Sequence, residues 1–173
     1  MIGYFRRRCN PQPKIKVEPT PTDQVVEVAA ALGAALSITK LLLNWHRVPA
    51  MVPTRFDFGG KAVQWGSKNN LLFLCGMIVV FYLVFTILNR FPHTFNYPVP
   101  ITEENAERQY TIVTRGLRWL KLELVWAYGY LLSATMQVSI DHSLRLSPWF
   151  TPVFLGAVFI TLSVMLVMSY KAR

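Results

Sequence analysis

The sequence predicts an all-α protein, a four-helix transmembrane bundle with an ordered outer loop between helices 1 and 2. Three observations predict it. Hydrophobic residues make up 53% of the 173 positions and the mean hydropathy is +0.32, more apolar than an ordinary soluble domain. The apolar residues gather into segments close to the ~20 residues that cross the hydrocarbon of a bilayer. Between the first two segments lies a stretch, 49–69, filled instead with turn formers, charges and aromatics. The organisation that follows is a disordered, basic, Pro-rich cytoplasmic tail at 1–24 and a membrane domain at 25–173. The spans fall at about 25–45, 71–89, 122–140 and 148–170, with a juxtamembrane amphipathic segment at about 103–121.

The tail is basic through Arg6, Arg7, Arg8, Lys14 and Lys16, and Pro11, Pro13, Pro19 and Pro21 keep it extended or disordered. The apolar run beyond it starts too far from the arginines, and is too long, for a signal peptide. Thr22 or Asp23 is placed to cap span 1. In that span Ala29, Gly33, Ser37 and Lys40 share one face, and small residues at this spacing admit a close helix neighbour. Lys40 reads either as a snorkelling or locally paired cation or as a functional buried one. Glu27, on nearly the opposite face, is no partner for it within the helix.

Span 2 carries no charge and is closed by Arg90. An aromatic, Pro-rich turn follows at 90–101, with Phe91, Phe95 and Tyr97 suited to an interface. Thr102 reads as an N-cap, with Glu103 and Glu104 favouring the helix dipole. The helix it starts runs through Arg108, Arg115, Arg118 and Lys121 into span 3, and these four cations are the candidate contacts for anionic lipid. Span 3 is the most polar. Gly116, Glu123, Tyr130 and Gln137 recur every seven residues as one stripe, which is either an interhelical hydrogen-bonding seam or a polar lining for a ligand or ion path. Span 4 is charge-free between Trp149 and Tyr170, and Met165 and Met168 read as packing residues.

The stretch 49–69, PAMVPTRFDFGGKAVQWGSKN, reads as a compact ordered loop capping one face of the bundle, or else as a plain connector with interfacial aromatics. Its pattern P-x-x-F-D-x-x-G-x-x-x-x-W-G-S-K resembles the signature of domain-of-unknown-function family 1648, found in SdpI-like immunity proteins. The matching residues are Pro53, Thr54, Phe56, Asp57, Gly60, Trp65, Gly66, Ser67 and Lys68, and Arg55 stands where members usually carry histidine. A second stretch, Phe95-Asn96-Tyr97-Pro98 with Ile101 to Tyr110, also resembles this family, so the resemblance covers roughly 30–125. It implies an integral membrane protein that presents the loop outward. The candidate partner-binding residues are therefore Pro53, Arg55, Phe56, Asp57, Gly60, Trp65, Gly66 and Lys68.

Net charge is +9. In a chain with these spans the excess reads as a cytoplasmic, lipid-facing surface and not as a nucleic-acid footprint. With four spans, twelve of the eighteen Lys and Arg residues fall on the side of the termini, five on the other, and Lys40 within span 1. The positive-inside rule then puts both termini in the cytoplasm, with the bundle in a bacterial-type plasma membrane. Cys9 and Cys75 are unsuited to pairing, no C-x-x-C or H-E-x-x-H pattern occurs, and no nucleophile–base set can be picked out. These observations predict no enzyme activity, no metal and no cofactor. They leave an immunity-type protein binding a peptide or membrane partner through its outer loop, a structural subunit of a larger membrane complex, or a small transporter using Lys40, Glu123 and Tyr130. A co-purifying partner discriminates the first two.

Overall fold

The computed structural model describes residues 13–15 and 17–172. It is mostly helical: α1 (Pro21–Asn44), α2 (Asn70–Leu88), α3 (Ala106–Ile140) and α4 (Phe150–Lys171), with a short 3-10 turn at Pro92–Thr94. The expected all-α class needs one correction. Between α1 and α2 the chain forms an antiparallel pair of strands, β1 (Met51–Phe56) and β2 (Ala62–Ser67). The stretch is thus a hairpin, because two six-residue runs flank a turn that Asp57 and Gly60 are chemically suited to make.

Three helices, α1, α2 and α4, are long and apolar enough to cross a membrane, as expected of a membrane-embedded protein. The bundle is built around the fourth. α3 has 35 residues, about 50 Å at ~1.5 Å per residue, and packs against α1, α2, α4 and β1. Its sequence is the most polar because it has the least surface facing outward. Tyr110, Thr114, Lys121, Val125, Leu132, Thr135 and Ser139 are all buried along it. The core of Leu41, Val48, Val52, Leu71, Ile78, Val125, Leu132 and Met136 joins α1, α2 and α3 to the first strand, so the hairpin plugs one end of the bundle.

The small face of α1 does what its spacing implies. Trp126 Nε1 donates to Ala29 O at 3.1 Å, and its ring lies where a Gly33 Cβ would be 2.8 Å from that nitrogen. Gly129 in turn admits Ser37, and Lys40 Nζ donates to Ser133 Oγ. Lys40 is exposed and pairs with a side chain of α3.

Two helix starts differ from expectation. Thr20, not Thr22 or Asp23, caps α1. Its hydroxyl accepts from Asp23 N at 3.4 Å, Asp23 Oδ2 accepts from Thr20 N at 2.9 Å, and Pro21 occupies the first helical position. Residues 21–24 consequently belong to α1 rather than to the tail, and Pro13 O accepts a bond from Tyr110 at 2.9 Å. The expected disorder of 1–12 lies outside the described residues. At α3, Thr102 and Asn105 exchange capping bonds (3.3 and 2.9 Å) in the turn that precedes Ala106. Tyr97 packs its ring 5.6 Å from that of Tyr110 and donates to Pro92 O. Burial, and then the neighbouring Tyr110, push the Tyr97 phenol well above its usual range.

Candidate functional site

The hairpin turn is made by a few side chains acting on the backbone. Asp57 O accepts from Gly60 N at 3.0 Å, Asp57 Oδ1 accepts from Lys61 N at 2.8 Å, and Asp57 N donates to Lys61 O at 2.9 Å. Gly60 has φ +76°, a conformation an L side chain rarely adopts. Irregular register on either side of Arg55 bends the strands: Pro53 faces Trp65 and Arg55 faces Gln64. Gly66 gives Thr54 room, since a Cβ there would lie 2.8 Å from Thr54 Cγ2.

The hairpin is fastened to the connection between α3 and α4. Leu146 N donates to Gly60 O at 2.8 Å. Trp65 stacks on His142, with ring centroids 4.7 Å apart and planes 15° from parallel. His142 is set by the turn around it: the hydroxyl and backbone N–H of Ser143 bond to Asp141 Oδ1 at 2.7 and 2.9 Å and hold that carboxyl below the usual carboxylate range. Lys68 lies 4.6 Å from the centre of the Trp45 ring.

These contacts sort the predicted partner-binding residues. Pro53 is buried, and Trp65, Gly66 and Lys68 have internal partners, so they hold the hairpin up. Arg55 and Phe56, together with the turn residues Asp57 and Gly60, line a groove of about 690 Å³ that continues over Leu146 and Pro148 to the first turns of α4. Phe58, at the tip beside them, is fully exposed at 103% relative accessibility. From sequence Phe58 counts among the aromatics of the loop but not among its partner-binding residues. Its place in a D-F-G-G turn was the available signal, because a turn tip has nothing to bury a phenyl ring against.

The polar stripe on α3 faces α4 over three of its four positions. A Cβ on Gly116 would lie 2.0 Å from Met165 Sδ, Thr161 Oγ1 donates to Glu123 Oε1 at 2.6 Å, and Tyr130 stacks on Phe150. Gln137 departs from the seam and is exposed. The seam is extended in the other direction by Gln109, whose amide donates to Ser169 O (2.8 Å) and Ala172 O (3.1 Å) and accepts from the Ser169 hydroxyl (2.6 Å). It thereby satisfies carbonyls that the end of α4 leaves open.

The largest departure concerns the cations of α3. Lys121 was expected to face anionic lipid. Its side chain is fully buried, paired with Glu27, 3.0 Å from Thr86 Oγ1 and 4.8 Å from the centre of the Tyr82 ring. One turn towards the tail, Arg115 and Arg118 reach Asp23 at 3.3 and 3.4 Å. Only Arg108 of the four is exposed outright. The reason is register: Asp23 and Glu27 are four apart on α1, and Arg115, Arg118 and Lys121 are three apart on α3, so both sets line the facing sides of adjacent helices.

The family described as a domain of unknown function, DUF1648, matches residues 32–80, which take in the second half of α1, the hairpin and the first half of α2. This is narrower than the 30–125 over which the sequence resembles it. An uncharacterized protein of Archaeoglobus fulgidus is 31% identical over 114 residues, covering 59% of this chain and 61% of that protein, so the match spans about three fifths of the relative. No solved structure matches. The match to DUF1648 and the three apolar helices fit a membrane protein, and the matched residues include the hairpin.

Proposed function

We propose that this chain is a multi-pass plasma-membrane protein of the SdpI-like immunity type, with four spans, both termini cytoplasmic and the hairpin outside, where it binds a peptide or a membrane partner without catalysing a reaction. The exposed Phe58 beside the Arg55–Asp57 groove carries this reading. An apolar ring held on a latched turn, with one cation and one carboxylate next to it, has the composition of a recognition surface. The twelve-to-five charge asymmetry supports the orientation. On the cytoplasmic side the same reading puts the basic end of α3 among anionic lipid headgroups.

A second reading, an accessory subunit of a larger membrane complex, is favoured by α4. Val153, Phe159, Ile160, Val164 and Val167 all leave half or more of their surface uncovered. Lys40 and Tyr130 each have a local partner, and Glu123 has one at Oε1 while its Oε2 is buried without one, so of the three residues a transporter would use only Glu123 keeps an open polar atom.

The test is a set of exposed-residue substitutions. Phe58→Ala and Arg55→Ala are expected to abolish partner capture or protection while the protein accumulates normally, since exposed changes of this kind shift stability by only about ±0.5 kcal/mol. Trp65→Ala is expected to lower accumulation instead, through loss of the His142 stack. Normal binding by both Phe58→Ala and Arg55→Ala would remove the hairpin tip from any functional account and favour the subunit reading.

A further inference from the structure

A second groove, also about 690 Å³, lies between α3 and α4 at the opposite end from the hairpin. α3 contributes Arg108, Ile112, Arg115 and Trp119, which fall on one face at helical spacing; α4 contributes Ile160 and Met168 among others. From Arg108 to Trp119 the groove runs about 16 Å at ~1.5 Å per residue, room for a headgroup and the first part of an acyl chain. Its polarity is graded along that length. The outer end holds Arg108 and Arg115, with Glu107 beside them. The inner end is apolar, and Trp119 and Ile160 there are 46% and 66% exposed.

We infer that this groove is a binding site for one anionic phospholipid, with the phosphate between Arg108 and Arg115 and an acyl chain laid along Ile112, Trp119 and Ile160. Charge and shape select that occupant. The end that sits at headgroup level is net positive even with Glu107, and a bidentate guanidinium suits a phosphate. The apolar end matches a chain and offers no other charged group to a peptide. Arg115 is half-committed: Asp23 takes its Nε, and 38% of the side chain remains exposed. A lipid phosphate on the free side would join α1, α3 and α4 through one cation. The inference rests on the proposed placement of this end of α3 at a lipid headgroup layer, and is independent of what the hairpin binds.

The experiment uses the full chain in phosphatidylcholine vesicles with the same lipid composition in both leaflets, so sidedness does not enter. Brominated phosphatidylglycerol or, separately, an equal fraction of brominated phosphatidylcholine is added. The Trp119 signal is obtained as the difference between the wild type and Trp119→Phe. The expected result is a preference for the anionic lipid of roughly tenfold or more at Trp119, as two basic contacts imply. Arg108→Gln, which touches none of the ion pairs, should cut the preference severalfold, and Arg145→Gln, near the hairpin, should leave it unchanged. Equal quenching by the two lipids overturns the inference. So does a Trp119 that neither lipid reaches, the outcome if a second copy of the chain covers the groove. Trp149 separates the two levels of failure: quenched Trp149 with unquenched Trp119 sinks the lipid site alone, whereas quenching of neither sinks the membrane placement as well.

Discussion

Glu27→Ala is expected to cost about 3–5 kcal/mol of stability, because it leaves the Lys121 ammonium buried without its counter-charge. Lys121 has no exposed surface, and Thr86 and the face of Tyr82 are the remaining neighbours to stabilise it. Neither replaces a carboxylate. The loss should appear as a lower detergent-unfolding midpoint and reduced accumulation in membranes. Lys121→Met alone should cost less, since the Glu27 side chain is 35% exposed and retains access to polar surroundings. The double variant, Glu27→Ala with Lys121→Met, should recover most of the loss, as replacing a buried pair by apolar groups is often near neutral. A double variant as unstable as Glu27→Ala would mean that Glu27 stabilises the bundle by some contact other than Lys121.

Gly60→Ala is the second large effect. The new Cβ would lie 1.7 Å from the Leu146 carbonyl oxygen, in a residue already at φ +76°. The backbone penalty alone is about 1–2 kcal/mol, and a backbone oxygen cannot step aside as a flexible side chain can. The hairpin must therefore move off the α3–α4 connection, breaking the Leu146–Gly60 bond and opening the Trp65–His142 stack. The readout is loss of that stack in Trp65 fluorescence, together with a clear drop in thermal stability. Gly76→Ala is the control, because open space surrounds that position. Equal effects at Gly60 and Gly76 would contradict the latch.

Much of the bundle was legible in advance because its helices obey simple rules. Span 2 has no charge, and the small face of span 1 does receive Trp126 and Ser133 from a neighbour. The hairpin was not read as strands because Pro53 and the register irregularities around Arg55 disrupt a clean alternation. Special-backbone residues were visible there; what they held together was not. The cap of α1 was read two residues late, although Thr20-Pro21-Thr22-Asp23 carries both the capping-box spacing and proline at the first helical position. Lys121 failed for a more instructive reason. Four cations on one helix look like a lipid-facing surface when that helix is read alone, and three of them, Arg115, Arg118 and Lys121, become half of a charge ladder once Asp23 and Glu27 are set opposite. Matching the four-residue step on α1 to the three-residue steps on α3 was the signal that single-helix reading could not use. Phe58 and the groove depend on where the α3–α4 connection packs, which no local pattern encodes.

We propose that the latched hairpin faces away from the cytoplasm. In a chain with Cys9→Ser and Cys75→Ser, a single cysteine is introduced either at Lys61, beside the turn, or at Lys14, both of which are exposed. Intact cells are treated with a membrane-impermeant thiol reagent. The account predicts labelling of Lys61→Cys without permeabilisation and labelling of Lys14→Cys only after it. Labelling of Lys14→Cys but not Lys61→Cys in intact cells would invert the protein and place the hairpin, its groove and Phe58 in the cytoplasm.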